Sequence, residues 1–150
     1  TSIGESPSGP ELLSPRHYRM WAYPYQKRMI AELAAQGKLI AHHICGNVGP
    51  ILTEFIDTGA QITEIDHKTE LAKARDAARG RTCLLGPIDT RLLASGTPDA
   101  VDAACREAIE VMGTQGGFIL GPGCAMSPET PPDTIHALVE AAKKYGAQSI

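Results

Sequence analysis

Residues 82–121 read TCLLGPIDTRLLASGTPDAVDAACREAIEVMGTQGGFILG. The apolar run at 82–88 has the length of a strand. Thr97-Pro98 then starts a helix, because a threonine hydroxyl caps a first turn and proline fits the first helical position. From there Val101, Ala104, Cys105, Ala108, Ile109 and Met112 recur with the 3.6-residue period of an amphipathic helix. A second short apolar run follows at 117–121. Apolar strand, amphipathic helix and apolar strand in succession mark a parallel β/α unit.

The same alternation extends outward in both directions. Towards the N-terminus, a strand is expected over 61–66 with a helix over 70–79 closed by Gly80. Before that come a strand over 38–44 and a helix over 50–58 closed by Gly59. Ser14-Pro15 opens a helix that runs to about residue 36 and stops at Gly37, with a break near Tyr23 because Pro24 cannot continue the hydrogen-bond ladder. Residues 1–14, TSIGESPSGPELLS, are rich in Gly, Pro and Ser and read as a loop. Towards the C-terminus a last helix is expected over 131–145. These are four strand–helix units behind a loop and a helix whose own strand is mostly missing. A closed (β/α)8 barrel takes about 250 residues, so the chain reads as the C-terminal half of one. The expectation is a piece of a longer protein, or a half that completes its barrel with another chain or as a homo-oligomer.

Bulk composition narrows the function classes. The 150 residues carry a net charge of −3 with Lys and Arg scattered, which gives no electrostatic reason to expect nucleic acid. No apolar run approaches the roughly 18 residues of a membrane span, so no membrane partner is expected. Four cysteines in this length are no disulfide framework and suit a reducing, cytoplasmic setting.

The residues that carry chemistry sit at strand ends. His43-Ile44-Cys45 ends the strand over 38–44, and alternate residues of a strand face one side, so His43 and Cys45 converge. Cys124 lies just past the strand over 117–121, in GPGCAM. In parallel β/α folds the C-terminal strand ends share the rim where active sites gather. Two thiolates and an imidazole suit Zn²⁺, and three protein ligands with a fourth position open describe a catalytic site. On spacing alone, buried and inert cysteine is the commoner reading. Cys83, inside a strand, and Cys105, on the apolar helix stripe, fit that reading. His42 should point away from the pair, and His17, His67 and His136 fall on helices or loops and read as solvated. Asp66 and Asp89 end strands on the same rim. Asp66 is placed to orient His43 through its second nitrogen or to cap the next helix, and Asp89 to bind at the rim or to make a turn. Gly46, Gly121 and Gly123 read as tight turns beside the ligands.

Along nearly its whole length the chain resembles the uroporphyrinogen decarboxylase superfamily. The phrases that carry the resemblance are LLSP before a helix containing Pro24-Tyr25, then HHICGN, ITEID, GPIDTRLLASGTPDAV and GFILGPGCAMSPETPPDTIHALVEAAKKYG. The resemblance implies a (β/α)8 barrel. Decarboxylases of the superfamily carry a loop like NLGHGI where this chain has ILGPGC, so Pro122 stands at the histidine and Cys124 at an apolar position. The branch resembling methylcobamide:coenzyme M methyltransferases has a His-x-Cys and a distant Cys that bind zinc, and His43, Cys45 and Cys124 match it. That branch implies Zn²⁺, a corrinoid such as methylcobalamin as methyl donor, a corrinoid protein as partner and a small thiol as acceptor. Glu5, close to where the missing strand ends, is then a fourth ligand, a corrinoid contact or a turn residue. A metal-independent porphyrinogen decarboxylase and a non-catalytic module that docks a corrinoid protein are the competing readings.

Overall fold

The computed structural model of the chain describes residues 1–113 and 116–146. Five strands form one parallel sheet in the order of the sequence: β1 (Ser2–Gly4), β2 (Ala41–His43), β3 (Ile62–Glu64), β4 (Cys83–Ile88) and β5 (Phe118–Pro122). Strands that never reverse their order put every crossover on the same face, as in a barrel wall. The crossovers are α1 (Pro15–Trp21) and α2 (Tyr23–Ala35), α3 (Leu52–Asp57), α4 (Leu71–Ala78), then α5 (Thr90–Ser95) with α6 (Pro98–Met112). Past β5 comes α7 (Pro132–Ala141), which ends in a π-turn over Ala142–Gly146. Among the described residues no helix is long and apolar enough to cross a membrane.

The elements form where their local chemistry dictates. Ser14 and Thr97 accept hydrogen bonds from the N–H groups of His17 and Ala100, both at 3.3 Å, which caps α1 and α6 ahead of their first-turn prolines. The α1–α2 break falls at Ala22, one residue before Tyr23. Gly37, Gly59 and Gly80 have φ of 74°, 86° and 70°, the left-handed region in which helices stop. The α6 stripe buries Val101, Cys105, Ala108, Ile109 and Met112 against its neighbours α4 and α7 and the sheet. Each of its larger side chains contributes roughly 1.5–3 kcal/mol by leaving water.

Three features differ from the sequence-based expectation. Residues 1–14 are not all loop: Ser2–Gly4 is a strand in register with Ala41–His43, followed by a 3₁₀ turn at Ser6–Ser8. A three-residue strand has too little alternation to be recognised, and it forms because β2 offers a free edge. The strands over 38–44 and 61–66 shrink to Ala41–His43 and Ile62–Glu64. The stretch after β4 holds α5, started by the Asp89 side chain accepting from Arg91 N–H at 2.9 Å.

Register is what positions the site. Gly4, His43, Glu64 and Leu85 are successive partners across β1 to β4. Within β2 the two faces part: His42 turns to the helices and lies edge-on to Phe55, while His43 turns to the opposite face.

Candidate metal centre

At the C-terminal end of β2, Ile44 enters the core and leaves His43 and Cys45 on the other side. The turn after Cys45 is made by Gly46 at φ 83°, whose N–H donates to Asp66 Oδ2 at 3.0 Å. Past β5, Gly123 runs so close to the end of β3 that an added Cβ would lie 3.0 Å from His67 N and 3.1 Å from Asp66 Cα. That approach carries Cys124 over the rim to β2.

The three side chains converge. His43 Nε2 is 3.0 Å from Cys45 Sγ, and Cys45 Sγ is 3.2 Å from Cys124 Sγ. Among the described residues they are the one group of metal-ligand atoms that all lie within 4.8 Å of one another. Ligands bound at roughly 2.3 Å in a tetrahedron stand roughly 3.8 Å apart, so a zinc ion would need the two sides at 3.0 and 3.2 Å to open by well under 1 Å. Both cysteines are free thiols. Burial, with the hydrogen bond to Cys45, pushes the Cys124 thiol up to about 11. Ser6, in the 3₁₀ turn after β1, donates its hydroxyl to Cys45 Sγ at 2.9 Å. A chain of bonds holds that turn in place: Tyr18 donates to Gln26 Oε1, Gln26 Nε2 to Ser8 Oγ, and Ser8 to the Glu5 carbonyl, at 2.9, 3.0 and 2.7 Å.

Other residues singled out from the sequence sit around this group. Asp66 does not reach His43. Its carboxylate accepts from Gly46 N–H and Lys68 N–H and pairs with His67 Nδ1 at 2.7 Å, tying the β2 and β3 loops together. Asp89 caps α5 and stands 3.6 Å from His67 Nε2, so His67 lies between two carboxylates rather than free in solvent. Glu5 donates its backbone N–H to the His43 carbonyl at 2.9 Å, and its carboxylate is not among the converging ligand atoms. His17 and His136 are exposed, Cys105 is fully buried and Cys83 is half-buried. Gly121 presses on Leu85, where an added Cβ would lie 3.1 Å from Cδ1.

Sequence reasoning passed over Ser6 and Glu64, and it read His67 as solvated. Glu64 Oε1 lies 3.6 Å from His43 Nδ1, a nitrogen that is buried and without a hydrogen-bond partner. Its signal was present, since Glu64 and Asp66 stand two apart in the strand expected over 61–66 and so would share a face. Choosing between them required the β2–β3 register. Ser6, in a Gly/Pro/Ser-rich stretch, carried no signal.

Fold and cluster together define a parallel β/α protein with a thiol–imidazole group at the C-terminal edge of its sheet. The uroporphyrinogen decarboxylase (URO-D) family model matches residues 2–145, and the chain belongs to that family. It is 31% identical over 149 residues to the methylcobamide:CoM methyltransferase MtaA of Methanosarcina barkeri, covering 97% of this chain and 42% of the relative. It is 26% identical over 141 residues to the uroporphyrinogen decarboxylase of Coxiella burnetii, covering 92% and 39%. The solved structure of a methyltransferase from Methanosarcina mazei superposes with a TM-score of 0.85 at 28% identity, covering 96% of this chain and 41% of that one. The fold is therefore part of a URO-D-type (β/α)8 barrel, and the chain spans about two fifths of the length of the curated relatives it matches.

Proposed function

We propose that the protein is a zinc-dependent methyltransferase that moves a methyl group from a methyl-corrinoid to a small thiol such as coenzyme M. The observation that carries this reading is the convergence of His43, Cys45 and Cys124 within 4.8 Å. A decarboxylase that works without metal has no use for two thiols and an imidazole aimed at one point. The similarity to MtaA, whose name gives methylcobamide and CoM as its substrates, supports the same choice.

His43 Nε2 and the two sulfurs would hold the zinc ion, and three protein ligands would leave room for the acceptor. Zn²⁺ there supplies the charge that turns an incoming thiol into a thiolate nucleophile at neutral pH. The Cys45 and Cys124 thiolates offset the dication, so the acceptor sulfur stays electron-rich. The Ser6 hydroxyl, donating to Cys45 Sγ, fixes that sulfur's direction. The donor would supply a methyl group on cobalt, with the carbon–sulfur bond forming as the carbon–cobalt bond breaks and its electron pair staying on cobalt. A corrinoid protein is the natural carrier of the donor.

The test is metal analysis of the intact protein together with thiol-dependent demethylation of methylcobalamin. About one zinc per chain is expected for a site of this kind. Cys124→Ala should lose zinc and activity together, while Cys83→Ala and Cys105→Ala keep both. Full zinc retention in Cys124→Ala, or demethylation by metal-free protein, overturns the reading.

A further inference from the structure

We propose that Glu64 is a positioning residue that fixes the tautomer of His43, so that the Nε2 lone pair faces Cys45 and Cys124. The inference rests on the zinc reading above. His43 is 9% exposed, and its Nδ1 is buried with no hydrogen-bond partner. A buried ring nitrogen without a partner is costly and rare. The group that faces it is the Glu64 carboxylate, 3.6 Å away and itself largely covered. Among the described residues Glu64 has no other ion-pair or hydrogen-bond partner.

This placement follows from the fold. His43 and Glu64 are register partners on adjacent parallel strands, which run about 4.8 Å apart, so their side chains stand side by side on one face. The ring bridges two environments, with Nε2 at 3.0 Å from Cys45 Sγ and Nδ1 towards Glu64. A neutral imidazole has one N–H and one lone pair. With the proton on Nε2, a lone pair meets a carboxylate and a donor blocks the cluster. With the proton on Nδ1, the N–H points at Glu64 and Nε2 is free to bind metal. At 3.6 Å the pair is just beyond hydrogen-bond distance, and a small rotation of the Glu64 side chain closes it. Glu64 Oε1 sits on the Nδ1 side of the ring and is not among the converging ligand atoms, so it acts through His43 rather than on the ion. Outer carboxylates of this kind are worth roughly 10–100-fold in metal affinity.

The experiment uses the intact protein with ¹⁵N-labelled histidine, as wild type, Glu64→Gln and Glu64→Leu. In metal-free wild type, ¹⁵N shifts should report His43 protonated on Nδ1. Glu64→Leu should lose that preference, and its zinc affinity, read by competition with a chromophoric chelator, should fall about 10–100-fold. Glu64→Gln, which keeps a carbonyl acceptor, should fall between. X-ray absorption should show the same number of metal neighbours in all three. An unchanged tautomer with unchanged affinity in both variants overturns the inference. So does loss of an oxygen neighbour from the metal in Glu64→Leu, which would make Glu64 a ligand. Should wild type bind no zinc, the functional reading fails, while the metal-free tautomer still decides the role of Glu64.

Discussion

Acidifying the protein from pH 7.5 to 5 brings out the cost of keeping His42 neutral. Its ring is fully buried, 4.7 Å from the Phe55 ring, with Nδ1 3.3 Å from the Thr58 hydroxyl and Nε2 without a partner. Burial first, and the neighbouring His43 second, hold its pKa down from 6.5 to about 4. The unfolded chain therefore takes up a proton near pH 6.5 that the folded chain refuses until about pH 4. Between those values the unfolded state binds more protons, so stability falls as pH falls. It is undiminished by this residue above the unfolded value and fully reduced below the folded one. The loss amounts to about 2 kcal/mol at pH 5 and levels off at about 3 kcal/mol below pH 4. That is a large share of the roughly 5–15 kcal/mol by which domains are stable. His42→Phe keeps an aromatic ring against Phe55 and removes the titration. Urea unfolding of both proteins, with chelator present to remove metal linkage, should give a wild-type-minus-variant difference that shifts by about 2 kcal/mol from pH 7.5 to 5. Any constant packing offset cancels in that comparison. A difference flat across the range would mean that the buried ring is not held neutral.

Other expectations follow from the same structure. The Cys124 thiol, pushed up to about 11, keeps its proton at neutral pH. Zinc binding as proposed would displace that proton, so competition titrations from pH 6.5 to 8 should show affinity rising about tenfold per pH unit from this thiol alone; a pH-independent affinity refutes it. Thr97→Ala removes the α6 cap and should cost about 1 kcal/mol in urea unfolding, with no change in zinc content; an equal loss from Thr97→Ser would argue against the hydroxyl's role. The 150-residue chain on its own presents β1 and β5 as open sheet edges, and Trp21, Tyr25 and Met29 line an exposed groove. Sedimentation of that isolated chain should reveal association, and a well-behaved monomer with a cooperative melt would count against this.

Features governed by neighbours along the chain were legible in the sequence. The strand–helix alternation, the caps at Ser14 and Thr97 and the stops at Gly37, Gly59 and Gly80 each depend on a few adjacent residues. The His43–Cys45 pair was equally local, because period-two alternation decides their common face. Cys124 could be joined to them because parallel strands share one C-terminal rim, a rule of the fold class rather than of this sequence. Features that depend on register or on a free edge could not be read. β1 exists because β2 accepts a partner, and Ser2–Gly4 carries no pattern of its own. The same limit explains the exchange of Asp66 for Glu64 beside His43. Glu64 is the last residue of β3 and Asp66 lies two residues past it, roughly 6.6 Å further on if the chain stays extended. A shift of that size decides which one meets the imidazole and which one holds the Gly46 turn. The two roles differ in kind. Asp66, bonded to Gly46 N–H and paired with His67, sets where the backbone after Cys45 runs, whereas Glu64 faces the His43 ring itself. Removing Asp66 should therefore disturb the path of Cys45, and removing Glu64 should leave that path intact while changing which nitrogen of His43 is free to bind.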